Sequence, residues 1–156
     1  VVLAAERGDW PAIERMSRLA ATISTAAAVA ALLVIMVAGG PLIALVFGPN
    51  FRDAAPVLAV LLVGAVGESL GGPVDEVLRY TGHATTIFHS LLVAVIIEAA
   101  LAYALSGYGP VWAATAQALA FCGMYAFQII YCRRKLGIII LPYLSPAKLR
   151  LAASES

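Results

Sequence analysis

Long apolar stretches separated by short polar breaks run through most of this chain. No charged side chain occurs between Leu19 and Phe51 or between Val111 and Tyr131. Two further apolar stretches cover about 54–80 and 84–105 and carry only a few acidic residues. Each stretch is long enough to cross a bilayer, which takes about 20 residues of α-helix. The pattern predicts an all-α, polytopic transmembrane bundle of about four helices, near 19–47, 54–80, 84–105 and 111–131.

Glycine and proline interrupt two of these stretches. Such residues stop a helix in water, but a membrane helix tolerates them as kinks where its neighbours satisfy the freed backbone groups. We therefore expect helix breaks within the first and second stretches. The breaks are Gly39, Gly40 and Pro41 in the first stretch, and Gly71, Gly72 and Pro73 in the second.

The two ends of the chain are more polar than its middle. Residues 1–18 mix six charged side chains with small apolar ones, and Asp9-Trp10-Pro11 is typical of a helix start. We expect an amphipathic connector lying in the headgroup region, with a solvated connector as the alternative. Residues 139–156 are expected to form a cytoplasmic tail, which leaves 19–138 as the membrane domain. Because the chain opens on Val1, we expect it to be a segment of a longer protein.

Composition supports the membrane assignment. The chain is 62% hydrophobic and 12% charged, with a mean hydropathy of +0.94, whereas soluble domains are about half apolar and a quarter charged. This balance excludes a nucleic-acid-binding domain and a disulfide scaffold. Cys122 and Cys132 lie about 15 Å apart on one predicted helix, too far for a disulfide bond. With only His83 and His89 to add, the sequence predicts no metal, no cofactor and no enzymatic activity.

Basic residues predict the orientation. With four spans, the amino end, the loop after the second helix and the carboxyl end share one face of the membrane. Only Arg52 of the 10 basic residues falls on the other face. The positive-inside rule makes the basic face cytoplasmic, so both ends are expected in the cytoplasm. The basic face holds Arg7, Arg15, Arg18, Arg79, Arg133, Arg134, Lys135, Lys148 and Arg150.

An acidic face is the first candidate site. On an unbroken helix Glu68, Gly72, Asp75 and Arg79 would line one face, since they recur at helical spacing. A carboxylate at membrane depth is costly and tends to face a cavity or a partner. Glu68 is therefore a candidate for binding a proton or a cation, and Arg79 for lining the same cavity. Alternatively, Asp75 and Arg79 simply pair at the membrane surface.

Two other polar residues are candidates for the same ion-coupling or cavity role. Glu98 lies in a stripe of small residues on the third predicted helix, where a solvated carboxylate is the alternative. Gln117 shares a face of the fourth predicted helix with Gln128, and hydrogen bonding between helices would also explain both.

Several short motifs resemble a known family. Pro41 to Pro49 reads PLIALVFGP and is followed by DAAPVL; Gly72-Pro73, Thr81-Gly82-His83 and Tyr108 to Ala114 (YGPVWAA) come later. In order and spacing they resemble oligosaccharide flippases of the polysaccharide biosynthesis family, over about 8–138. That family belongs to the superfamily that also holds multidrug exporters.

The resemblance implies the carboxyl-terminal part of a transporter of about twelve to fourteen helices that works by alternating access. Its implied substrate is a polyprenyl-pyrophosphate-linked oligosaccharide, flipped across the bacterial inner membrane. The implied partners are membrane lipids and the missing amino-terminal helices. Glu98 and Trp112-Ala113 depart from the family pattern, and the intramembrane charges are acidic where a basic lumen is expected. The alternatives are a small four-helix exporter that dimerises around Glu68, and a scaffold subunit of a polysaccharide assembly complex.

Overall fold

Five α-helices form the part of the chain that the structure, a computed structural model, describes: residues 10–143. Short 3-10 turns connect the first two helices and the last two. No strand occurs within residues 10–143, so the predicted all-α fold is confirmed. The helices are α1 (Trp10–Phe47), α2 (Ala55–Gly71), α3 (Val74–Tyr80), α4 (Ala84–Leu105) and α5 (Pro110–Lys135), with 3-10 turns at Pro49–Ala54 and Ser106–Tyr108.

Four of these segments are long and apolar enough to cross a membrane. They are α1, the 3-10 turn joined to α2 (Pro49–Gly71), α4 and α5. Large apolar side chains face outward along them; Val37 is 87% exposed and Leu45 is 82% exposed. A water-soluble monomer rarely exposes so much apolar surface, whereas lipid tails cover it without cost. The chain is therefore a multi-pass membrane protein.

The first helix begins at Trp10, where Asp9-Trp10-Pro11 predicts a helix start, and continues without interruption into the apolar stretch. Glu14, Arg15 and Arg18 belong to the same continuous helix as the apolar stretch. No helix boundary therefore lies at residue 18, because nothing in this segment stops a helix and Ile13 faces the core. The remainder of the predicted connector, residues 1–9, and residues 144–156 of the predicted tail lie outside the described residues.

The two predicted helix breaks have different outcomes. The first helix runs through Pro41 and ends at Phe47, so the glycines before Pro41 do not end it. A Cβ added at Gly39 would lie 3.3 Å from the Cβ of Ala55, which shows that this glycine lets α2 approach α1. At Gly71, Gly72 and Pro73, by contrast, the helix does end. Gly72 has φ +50°, a left-handed conformation that favours glycine, and α3 starts at Val74.

The helices pack in an order that differs from their order in the chain. α1 packs on α2, α2 on α5, and α5 on α4, so α5 lies between α2 and α4. The contact of α2 with α5 is close because glycines form it: a Cβ added at Gly64 would lie 3.1 Å from Ala118. Gly67 faces Cys122 and Gly71 faces Tyr125 in the same way. Gly67 and Gly71 therefore provide the close packing expected of their G-x-x-x-G spacing.

Charged residues are sorted between the two ends of the bundle. The Nε of Arg18 donates a 3.1 Å hydrogen bond to the carbonyl of Leu141, and the ring of His83 meets that of Tyr131 at 5.6 Å. The starts of α1 and α4 therefore lie at the same end as the end of α5. Arg52 lies against Gly40 at the other end. The main apolar core lies at the end of the bundle that holds Arg18 and His83. It includes Ile13, Val74, Val77, Leu78, Cys132 and Ile138.

Candidate functional site

Glu68 is the centre of the candidate site. It is an exposed acid in the last turn of α2, next to the glycine contact that brings α2 onto α5. Tyr125 of α5, which is only 8% exposed, donates a 2.9 Å hydrogen bond from its hydroxyl group to Glu68 Oε1. A hydrogen bond to an ionised acceptor is stronger than one between neutral groups. Tyr125 thereby fixes the carboxylate on the outer face of the bundle.

Two grooves open on this carboxylate. The groove between α2 and α5 has a volume of about 260 Å³, and the groove between α1 and α2 has a volume of about 480 Å³. Glu68 and Ala65 line both, so the carboxylate stands on the ridge that separates them. The first groove is lined by Leu61, Gly64, Ala65, Glu68, Gln117, Ala118 and Phe121, and the second by Ala20, Ser24, Ala65, Glu68, Ser69, Gly72, Pro73 and Glu76.

The two serine hydroxyls of the larger groove are already used as donors. Ser24 Oγ donates to the carbonyl of Ala20 at 2.8 Å, and Ser69 Oγ donates to the carbonyl of Val66 at 2.8 Å. Each therefore presents oxygen lone pairs to the groove. Together with the Glu68 carboxylate they form an acceptor-rich surface, which suits a proton or a cation better than an anion.

The predicted site residues separate in the structure. Gln117 lies in the smaller groove with Glu68, so these two candidates do come together. Glu98 is partly exposed on α4, and Arg79 is exposed in the last turn of α3; neither lines the two grooves around Glu68.

The predicted acidic face is wrong. It required an unbroken helix, but the left-handed backbone at Gly72 ends α2 and redirects the chain into α3. Asp75 therefore lies against α5, within hydrogen-bonding reach of Gln128, and not beside Glu68 in the grooves. Burial raises the pKa of Asp75 above its ordinary value of 3.8, while hydrogen bonding by Gln128 and the charge of Arg79 oppose this rise.

Gln128 makes the hydrogen bond between helices that the sequence suggests. It is completely buried, and its Nε2 donates a 2.9 Å hydrogen bond to Ser90 Oγ on α4. Ser90 Oγ in turn donates to the carbonyl of Ile87 at 2.9 Å. This polar chain ties α5 to α4 within an otherwise apolar contact.

Sequence reasoning missed Tyr125 and the half-buried position of Asp75. A weak signal for Tyr125 exists, since Ala118, Phe121 and Tyr125 follow helical spacing and form the face of α5 that meets α2. No local signal gives the position of Asp75, because it depends on the turn at Gly72.

Residues 10–143 also contain no group of three histidine, cysteine or acidic side chains that could hold a metal ion. A third groove, of about 480 Å³ between α4 and α5, is mainly apolar; it includes Val93, Ala94, Met124 and Phe127. A groove of this kind in a lipid-facing surface accommodates a hydrocarbon chain and offers little to a charged substrate.

These observations define the class of the protein: a multi-pass α-helical membrane protein with an acidic ridge between two grooves on one face. No known protein family, curated protein sequence or solved structure matches the chain.

Proposed function

We propose that this chain is part of a membrane transporter, namely the carboxyl-terminal helices of an oligosaccharide flippase. The observation that carries the proposal is the position of Glu68, an acid in the last turn of an apolar helix, held by Tyr125 and shared by two grooves. Ionisable residues within membrane helices are expensive, and they commonly mark the path of a substrate or an ion.

The proposed role of Glu68 is to bind and release a proton or a cation during transport. Its surroundings supply hydrogen-bond acceptors from α1 and α2, and no basic side chain within residues 10–143 lines either groove. A carboxylate on the outer face of a bundle needs a cover of water or protein at membrane depth. The proposed cover is the set of amino-terminal helices expected from the family resemblance.

The proposed substrate is a polyprenyl-pyrophosphate-linked oligosaccharide. The motifs between Pro41 and Ala114 support this choice of substrate, whereas the acidic ridge does not bear on it. In this proposal the basic residues that bind the pyrophosphate belong to the missing helices. The proposed location is the bacterial inner membrane with both ends in the cytoplasm, since the basic residues of the described helices gather at one end of the bundle.

A second candidate is a small exporter that works as a dimer. The exposed position of Glu68 favours it, because a second copy of the chain could cover the same ridge. In that case the two Glu68 carboxylates would face each other across the dimer interface. In a scaffold subunit, the third candidate, the ridge would instead contact another protein of the assembly.

The test uses the full-length protein in a bacterial strain that lacks its own flippase. Glu68→Gln removes the charge of the carboxylate and preserves its shape, and Glu98→Gln makes the same change on α4, away from the ridge. We expect Glu68→Gln to lose surface polysaccharide while Glu98→Gln keeps it, at equal amounts of protein in the membrane. Normal polysaccharide from Glu68→Gln at every external pH would contradict the ion-coupling role.

The same strain separates the alternatives. Failure of the wild-type full-length protein to restore surface polysaccharide would contradict the flippase proposal. A cysteine introduced at Ser24, on the α1 side of the larger groove, would cross-link between copies in a dimeric exporter. In a scaffold subunit, alanine at Glu68 would reduce recovery of the complex from membranes and leave lipid flipping unchanged.

A further inference from the structure

The groove between α4 and α5 changes from apolar to polar along its length. Val93 and Gly123 line its inner part, in the apolar middle of the two helices. Thr86, His89 and Tyr131 line its polar end, where α4 begins and α5 approaches its last turn. The groove follows α5 from Gly123 to Tyr131, which is about 12 Å of helix. A phospholipid has the same order, with acyl chains inside the bilayer and a headgroup at the surface.

The inner part of this groove is open towards lipid. An added Cβ at Gly123 would meet no atom within 4 Å, so the absence of a side chain there leaves space between the helices. Val93 and Phe127 line the groove and are about half exposed on the outer surface of the bundle. Because the bilayer core contains no water to fill such a space, a hydrocarbon chain is its natural occupant.

Basic side chains continue the groove beyond its polar end. Arg133, Arg134 and Lys135 form the last turn of α5, and all three are exposed. Arg134 follows Phe127 by seven residues and Tyr131 by three, so it lies on the groove face of α5, whereas Arg133 lies on another face. No acidic side chain within residues 10–143 lines the groove. The polar end is therefore complementary in charge to an anion, and a guanidinium group binds phosphate through two parallel hydrogen bonds.

The groove is separate from the Glu68 ridge. Ala118 and Tyr125 form the face of α5 that meets α2 beside the ridge. Met124 and Phe127 lie on another side of the same helix and line the groove with α4. A molecule in the groove therefore does not touch Glu68, and an inference about it does not depend on what the protein transports.

We propose that the groove between α4 and α5 binds an anionic phospholipid, with one acyl chain beside Gly123 and the phosphate at Arg134. Lys135 adds a second positive charge next to the phosphate. The ring of Tyr131 lies between chain and headgroup, where an amphipathic ring is favoured at a membrane surface. The Nδ1–H group of His89 donates to the carbonyl of Thr85 at 2.7 Å, so Nε2 is the ring atom that can contact the headgroup.

Charge and access decide the kind of lipid. A zwitterionic phospholipid fills the groove equally well with its chain, but its own cation weakens the attraction of its phosphate to a basic cluster. A polyprenyl phosphate shares the hydrocarbon chain and the anionic end. The groove opens sideways onto the bilayer, where phospholipids are the abundant molecules, and we therefore assign it to an anionic phospholipid.

The test is photolabelling of the purified full-length protein in phosphatidylcholine nanodiscs. The probe is phosphatidylglycerol that carries a photoreactive diazirine at the end of one acyl chain, and the labelled residues are identified by peptide mass spectrometry. Unlabelled phosphatidylglycerol, phosphatidylcholine and polyprenyl phosphate are the competitors. Arg134→Gln is the key variant. Arg133→Gln is the matched control, because it removes the same charge from the same helical turn on another face.

We expect the label on the groove faces of α4 and α5, with phosphatidylglycerol as the effective competitor. Each basic residue near a membrane surface strengthens the binding of anionic lipid about fivefold, so Arg134→Gln should reduce labelling about fivefold. Arg133→Gln should label like the wild type. Gly123→Leu should abolish labelling, since its side chain fills the space for the acyl chain.

Four results would overturn the proposal. Equal competition by phosphatidylcholine would mean ordinary contact with bulk lipid. Stronger competition by polyprenyl phosphate than by phosphatidylglycerol would make the groove a substrate site. Equal loss of labelling in Arg133→Gln and Arg134→Gln would show a general attraction of anionic lipid to this end of the bundle. Label found only outside the groove would exclude the acyl-chain site. Arg134→Gln changes an exposed side chain, so it tests the proposal even if Gly123→Leu fails to fold.

Discussion

Adding one methyl group at Gly67 should test the contact between α2 and α5. A Cβ at this position would overlap the Sγ of Cys122, whereas the Cβ of Cys122 would remain at an ordinary 3.6 Å. The obstacle is therefore one sulfur atom and not the backbone of α5. Gly67→Ala should destabilise the fold, and Cys122→Ala should remove most of that destabilisation.

The magnitude follows from two opposing terms. Overpacking a close contact costs about 1–3 kcal/mol, and replacing glycine by alanine inside a helix returns up to about 1 kcal/mol. The single variant should therefore lose about 0–2 kcal/mol of unfolding free energy. In the Cys122→Ala background only the second term remains, so the same substitution should become neutral or stabilising. The coupling between the two positions should be about 1–3 kcal/mol.

The assay is a double-mutant cycle of unfolding free energies, measured by denaturant titration of the four proteins in mixed micelles. Cys122→Ala alone should change little, because the contact of its Sγ with the carbonyl of Gly64 is long, at 3.9 Å. Gly123→Ala on α5 is the control, since an added Cβ there meets no atom within 4 Å. The reasoning is refuted if Gly67→Ala costs the same with and without the sulfur atom of Cys122.

Three further predictions concern the turn, the carboxyl end and pH. Gly72→Ala should lower the free energy of unfolding by at least about 2 kcal/mol, since left-handed backbone strain of about 1–2 kcal/mol adds to a clash with α1. Gly82 is also left-handed but lies in open space, so Gly82→Ala should show the strain alone in the same unfolding assay. Arg18→Ala should expose residues 141–143 to limited proteolysis, because the guanidinium stacks 4.3 Å over the ring of Tyr143, and Arg18→Lys should protect only partly. Because folding raises the pKa of Asp75, its protonated carboxyl group contributes stability to the fold. This contribution is fully present at pH values below the ordinary pKa of 3.8, and it is lost as the pH rises through the folded-state pKa. The melting temperature should therefore fall in the wild type as the pH rises between these two pKa values, and it should fall less in Asp75→Asn. An equal fall in both proteins would contradict a raised pKa at Asp75.

The spans could be predicted from the sequence because hydrophobic runs longer than a bilayer leave few alternatives. The break at Gly71, Gly72 and Pro73 was equally predictable, since glycine and proline together end helices. The start of α1 at Trp10 follows from Asp9-Trp10-Pro11. Its continuity past residue 18 was not predictable from charge, because charged residues indicate where a segment meets water and not where its helix ends. The continuation of α1 through Pro41 to Phe47 agrees with the predicted span of about 19–47, since a long membrane helix continues past a proline when its neighbours pack around it.

Part of the site could be predicted as well. Glu68 stands out as an acid in an apolar stretch, and its proximity to Gln117 follows once Gly67 and Gly71 bring α2 against α5. The hydrogen bond from Tyr125 to Glu68 depends on the distance between α2 and α5, and no local sequence pattern determines that distance. The position of Asp75 depends on a single backbone conformation, so helical spacing assigned it to the wrong face.

The left-handed backbone at Gly72 places Glu68 and Asp75 in different surroundings. Without the turn, Glu68 and Asp75 would share one helix face, and their charges would repel in a single environment. With the turn, Glu68 stays on an exposed ridge with a tyrosine donor, while Asp75 is carried against Gln128 at a buried contact. Tyr125 lies between the two environments: its ring packs on Gly71 and its hydroxyl holds Glu68. Tyr125→Phe should therefore change the behaviour of Glu68 and leave the contact of Asp75 with Gln128 intact, so the two acids can be examined separately in one protein.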